Sequence, residues 1–164
     1  IFGVANATAI MLGKAIGEGK KENARIYSVR FLKITLALGV GGAIVVLGVS
    51  PIIRSFMTLG DEANSYLSAM MYVMSYFVFV SGFNTVLIVG VFRAGGDTKF
   101  GLLLDCGALW CIVIPLGAFA AFYLKFPVIA VYIILTSDEL MKLPFSFWRY
   151  KSLKWLKDVT RDFS

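Results

Sequence analysis

The chain has 164 residues, 59% of them hydrophobic and 16% charged, with a net charge of +6 and a mean hydropathy of +0.80. Soluble domains carry about a quarter charged residues, so the composition excludes an ordinary water-soluble domain and points to lipid as the solvent. The absence of histidine removes the commonest metal ligand, the usual general base and any Ser-His-Asp arrangement.

These features predict an all-α polytopic membrane helix bundle of about five transmembrane helices. Spans fall near 1–16, 31–53, 66–92, 100–124 and 126–148, and a polar tail covers 149–164. Ile1 to Ile16 reads as the end of a helix, and the chain opens without an initiator methionine or a basic n-region. It is therefore expected to be the C-terminal piece of a longer protein, with no secretory signal peptide legible in it. Asn6 lies in this first span. The following GKAIGEGKK resembles a phosphate loop superficially, but Lys20 is followed by Lys21 rather than Ser or Thr, so no nucleotide site is expected.

Ile34 to Ile53 holds no charge and carries Gly39, Gly41, Gly42 and Gly48. Small residues in lipid let helix backbones approach and slide. The connector RSFMTLGDEANSYL places Asp61 and Glu62 at the start of the third helix, where carboxylates favour the positive end of the helix dipole. That helix runs uncharged from Ala63 to Phe92, with Asn84 as a polar side chain that needs a partner.

The stretch VGVFRAGGDTKFGLLLDCG then breaks the apolar pattern. Arg93, Asp97 and Lys99 mark a turn in water, Gly95 and Gly96 permit a tight backbone, and Asp97 with Thr98 is expected to cap the next helix. Cys106 and Cys111, five residues apart, read as apolar packing residues, neither a disulfide nor a metal pair. Pro115 and Pro144 are the expected kinks. In the tail, Trp148 and Trp155 among Arg149, Lys151, Lys154 and Lys157 read as an interfacial helix.

Alternate connectors lie on the same side of a membrane. Of the 16 Lys and Arg, all but Arg54 and Lys125 then fall on one side, which is expected to be cytoplasmic together with the tail. The basic charge reads as topology and attraction to anionic lipid, and no nucleic-acid partner is expected.

Ionisable groups within spans are costly unless they face protein or water. Asp105 sits roughly 8 Å into the fourth span at about 1.5 Å per residue. It could pair with a cation near the cytoplasmic end, with Arg93 or Lys99 at hand, or it could bind and release a proton or cation. Asp138 and Glu139 lie deeper, and Lys142, three residues beyond Glu139, could neutralise it on one helix face. Asn84 and Asn6 are candidates for interhelical hydrogen bonds or for a substrate cavity. No metal site and no enzyme motif is predicted.

The segment G-V-F-R-A-G-G-D-T-K-F resembles the connector after the fourth helix of a six-helix lobe in the multidrug and toxic compound extrusion (MATE) family of secondary transporters. ANATAIMLGKAIGEGKKENA, LLLDCGALW and VYIILTSDELMKLPFSFWRYKSLKW are similar to neighbouring parts of the same lobe. The resemblance implies five helices of a twelve-helix, two-lobe protein in the plasma membrane, exporting cationic amphipathic compounds in exchange for H⁺ or Na⁺. It implies as partners membrane lipid, the N-terminal lobe and small cationic substrates, with no cofactor beyond the coupling ion. Asp105, Asp138 and Glu139 are then the coupling-ion candidates. A flippase for lipid-linked saccharides of similar helix plan and a non-transporting membrane scaffold remain the alternatives.

Overall fold

The computed structural model describes residues 1–56 and 60–157. Among these, six helices follow one another: α1 (Phe2–Gly17), α2 (Lys21–Phe56), α3 (Asp61–Phe92), α4 (Thr98–Tyr123), α5 (Val128–Thr136) and α6 (Asp138–Lys151). Helices α2, α3 and α4 are each long and apolar enough to cross a bilayer, while α1 and the α5–α6 pair are shorter. Of the most apolar window of α2, 11% is buried, and Ile44, Val45, Leu103 and Phe122 all face outward. So much outward apolar surface is stable only where the solvent is itself apolar. The chain is an all-α, membrane-embedded helix bundle.

Helices begin earlier than the apolar runs suggest. α2 starts at Lys21 and α3 at Asp61; the Lys, Glu, Ala and Arg that open α2 are good helix formers and need no lipid to stay helical. Hydropathy marks the span, not the helix. Asp61 and Glu62 occupy the first turn of α3, as the dipole argument expects.

The helices pack through glycine. A Cβ at Gly39 would lie 3.1 Å from the Phe79 ring, and one at Gly42 would lie 3.1 Å from Val78, so these two residues face α3. Gly41 and Gly48 have nothing within 4 Å and belong to the outer face. Gly90 in α3 backs onto Ala5 and Thr8 of α1 in the same way. Around this crossing lies the core of Leu12, Ile16, Leu32, Leu87, Val91 and Phe92. The last part of α3, Val86–Phe92, is wound as a π-helix. Two further π segments, Ala108–Val113 and Phe119–Tyr123, lie on either side of Pro115 in α4.

Both tight turns close on a left-handed glycine. Gly19 (φ 74°) follows α1, with Lys20 N donating to Ala15 O at 2.9 Å; Gly96 (φ 78°) follows α3, with Asp97 N donating to Phe92 O at 2.8 Å. Each is the glycine-terminated helix end in which two amides reach back to orphan carbonyls. Gly19 of GKAIGEGKK is therefore accounted for by a helix stop.

The fifth predicted span, 126–148, is interrupted. α5 ends at Thr136 and α6 begins at Asp138, with the break at Ser137 rather than at Pro144, which lies inside α6. Thr136 Oγ1 donates to Tyr132 O at 2.8 Å and Ser137 Oγ to Ile134 O at 2.7 Å, serving carbonyls at the break. The break places Asp138 and Glu139 in the first turn of α6, where the helix dipole favours their charge.

Candidate functional site

Lys142, one turn into α6, gathers three carboxylates. Its Nζ lies 2.7 Å from Asp105 Oδ1, 3.0 Å from Glu139 Oε1 and 3.2 Å from Asp138 Oδ2. Asp138 and Glu139 come from the same helix at i−4 and i−3, and Asp105 comes across from α4. The lysine side chain is 5% exposed, whereas that of Asp105 is 50% exposed. The ammonium donates hydrogen bonds to Asp105 and Glu139 and pairs with Asp138 at ion-pair range, so three acids gather on one base.

Helix α3 closes the other side. Asn84, 1% exposed, donates through Nδ2 to the Glu139 carbonyl at 2.6 Å and to Glu139 Oε2 at 2.8 Å. Its Oδ1 is buried without a partner. Beside it opens a cavity of about 300 Å³ lined by Phe2, Ser81, Asn84, Thr85, Asp105 and Glu139, among others. Glu139 thus offers one carboxylate oxygen to Lys142 and the other to Asn84, and the cavity lies between Asn84 and Asp105.

Asp105, Asp138, Glu139 and Asn84 are therefore brought together. Asn6 is not: it is exposed on α1 and is not among the residues that line the cavity. The expected partners of Asp105, Arg93 and Lys99, are both exposed, and Lys142 holds Asp105 instead. The pairing of Glu139 with Lys142 was legible from their i, i+3 spacing, but Asp105 as the third acid of one cluster was not.

A second charged cluster occupies the turn between α3 and α4. Asp97 is the residue before α4 but makes no side-chain cap there. Its carboxylate is instead taken by Arg149, through Nε at 2.7 Å and Nη2 at 3.1 Å, and by Lys157 Nζ at 2.5 Å. Two cations across the fold outcompete the local amide, because a bidentate guanidinium contact is a strong charge-assisted bond. Asp97 is 1% exposed; burial pushes its carboxyl up, but the hydrogen bonds from Arg149 and Lys157 prevail and hold it below the usual value of 3.8. Arg149 also lies over the Phe100 ring, 4.7 Å from its centroid.

Beyond α6 the chain folds back onto this turn. Trp155 is fully buried, stacked on Tyr150 at 6.0 Å, and donates Nε1–H to Tyr150 O at 3.2 Å. Lys157 N donates to Gly95 O at 3.1 Å, and Tyr150 OH shares a hydrogen bond of 2.8 Å with Ser28 Oγ of α2. A Cβ on Gly95 would run into the Trp155 carbonyl, so Gly95 is there for the close approach and Gly96 for its left-handed backbone. Of the two tail tryptophans, Trp148 is exposed, with Lys154 Nζ 5.5 Å from the centre of its ring. Trp155 is instead a core residue, and Arg149 and Lys151 belong to α6. Arg161, counted in the charge balance, lies outside the described residues. Cys106 and Cys111 are both free and exposed.

An apolar bundle with an ionisable cluster held between three of its helices defines a membrane-embedded all-α protein with a polar site beneath its surface. The chain belongs to the MatE family, whose model matches residues 1–119, in agreement with the resemblance carried by the Arg93–Lys99 turn. It is 25% identical over 126 residues to Protein DETOXIFICATION 16 of Arabidopsis thaliana, covering 74% of this chain and 25% of that protein. It is 25% identical over 162 residues to the uncharacterized transporter YisQ of Bacillus subtilis, covering 96% and 35%. It is 26% identical over 142 residues to the probable multidrug resistance protein NorM of Mesorhizobium japonicum, covering 83% and 30%. The chain thus spans a quarter to about a third of the length of these relatives. No solved structure matches it.

Proposed function

We infer that the chain is part of the C-terminal lobe of a secondary antiporter that exports cationic amphipathic compounds in exchange for H⁺ or Na⁺. It lies in the cell membrane with the C-terminus in the cytoplasm. The observation that carries this reading is the convergence of Asp105, Asp138 and Glu139 on one ammonium beside a cavity walled by Asn84. Anionic side chains shielded from water attract organic cations, and a proton or Na⁺ that takes the same charge releases the cargo; exchange then needs no ATP. The names multidrug resistance protein and DETOXIFICATION among the relatives support such a cargo. The cavity lining favours it over a flippase for lipid-linked saccharides, which calls for cationic walls: the charged residues lining this cavity are Asp105 and Glu139. For orientation, the three basic stretches that the charge count put on one side are joined here by Gly95 with Lys157 and Ser28 with Tyr150.

The test uses the full-length transporter that carries this segment, reconstituted in liposomes. An imposed H⁺ or Na⁺ gradient drives accumulation of a cationic dye, and Asp105→Asn with Glu139→Gln, singly and together, reduces the gradient-driven rate by about tenfold or more. Unchanged gradient-driven export in the double variant overturns the assignment of these residues, and wild-type liposomes that move no dye overturn the transport reading.

A further inference from the structure

We propose that Lys142 is a tethered competitor of the exchanged cation: its ammonium fills the charge position of the carboxylate cluster and must leave when the cation binds. The proposal rests on the antiporter reading and adds to it the identity of the group that is displaced.

Four observations carry it. Three carboxylates from two helices converge on Lys142 Nζ within 3.2 Å, in the arrangement an oxygen-binding cation would take. The lysine is enclosed while Asp105 is half exposed, so an arriving cation meets Asp105 first. Asn84, which lines the adjoining cavity and donates through Nδ2 to Glu139 Oε2, keeps a buried Oδ1 without a partner. A cation held in that cavity would satisfy this oxygen beside the carboxylates. Finally, Lys142 rides on a four-carbon stem one turn beyond the break at Ser137, and such a stem can swing its charge without moving the helix.

The exclusion is electrostatic. Two cations sharing the same carboxylates in a low-dielectric site repel each other, so the ammonium and the incoming charge alternate. With the ammonium in place the cluster is compensated in part and needs no bound ion. With the ammonium out, the acids are open to H⁺, Na⁺ or an organic cation. Asp105, Asp138 and Glu139 share the lysine as their charged partner, so all three change partner when it leaves.

Replacing Lys142 with Met keeps the stem and removes the charge, whereas Lys142→Arg retains it. In the full-length transporter, Lys142→Met is expected to lower the half-saturating concentration of the driving cation by about tenfold or more, and Lys142→Arg, which keeps the charge, by much less. A purely structural lysine would lower the amount of folded protein and leave half-saturation where it was. Acylation of Lys142 by an amine-reactive ester in the wild-type protein, read by peptide mass spectrometry, gives a second measure that needs neither transport nor a variant. Its rate rises when Na⁺ or tetraphenylphosphonium is added at saturating concentration. Labelling indifferent to both cations overturns the proposal, as does a folded Lys142→Met protein with unshifted half-saturation. Wild-type protein that fails to export but whose Lys142 labelling responds to cations overturns the transport reading and supports displacement.

Discussion

Lys142 and Asp105 meet at 2.7 Å although 37 residues separate them along the chain. The pair fastens α6 to α4, and the two remaining acids of the cluster hang on the same ammonium. Removing the lysine therefore strands three carboxylates, while removing Asp105 strands none. Lys142→Ala is expected to cost on the order of 3 kcal/mol of stability in detergent, as breaking an enclosed ion pair does. Asp105→Asn, at a half-exposed position, should cost about 1 kcal/mol. Thermal unfolding of the two purified variants, with the alanine variant melting lower, checks the order.

Asn84 ties α3 to the first turn of α6 through two bonds to Glu139. Asn84→Ala deletes both bonds and leaves Glu139 Oε2 without its Asn84 partner. A loss of about 1–3 kcal/mol is expected, together with faster amide exchange in 138–142. Unchanged exchange in that turn would mean the asparagine does not fasten it.

The C-terminal strap depends on Gly95. Gly95→Ala puts a methyl group against the Trp155 carbonyl and should eject the strap, so that trypsin cleaves after Lys154 and Lys157 much faster than in wild type. Gly96→Ala acts through the backbone: it strains a left-handed conformation (φ 78°) at about 1–2 kcal/mol. Equal protection of the strap in Gly95→Ala and wild type would contradict the packing described.

Acid should loosen the same strap. The folded-state pKa of Asp97 is depressed below 3.8, so its contribution is fully present above about pH 3.8 and is lost as pH falls through the depressed value. Emission from Trp155, in a protein whose Trp110 and Trp148 are replaced by Phe, should shift only below that point. Asp97→Asn should abolish this acid-dependent step, and persistence of the step in Asp97→Asn would assign it to another group.

Two glycines of α2 should separate by face. Gly39→Ala meets Phe79 at 3.1 Å and is expected to destabilise the α2–α3 crossing by roughly 1 kcal/mol. Gly41→Ala meets nothing within 4 Å and should be neutral or stabilising by up to about 1 kcal/mol, as alanine favours helix. Melting temperatures in one detergent suffice to compare them.

The amino-acid sequence determined the solvent of this protein and its helical class, because a run such as Ala63 to Phe92 has no soluble alternative. It also determined the charged turn at Arg93 to Lys99, and it marked Asp105, Asp138 and Glu139 as carboxylates needing partners. Such properties are local: each is fixed by residues within one helix length of one another. Which cation each carboxylate would find was decided by the tertiary structure. Asp97 had an amide cap next door and took Arg149 and Lys157 instead; Asp105 had Arg93 and Lys99 nearby in sequence and took Lys142. A break at Ser137 turned one predicted span into two helices, and the fold-back after α6 turned Trp155 from an interfacial ring into core. Charges act through space, and long side chains reach whatever the packing brings near, so their pairing follows from the approach of helices rather than from their order along the chain.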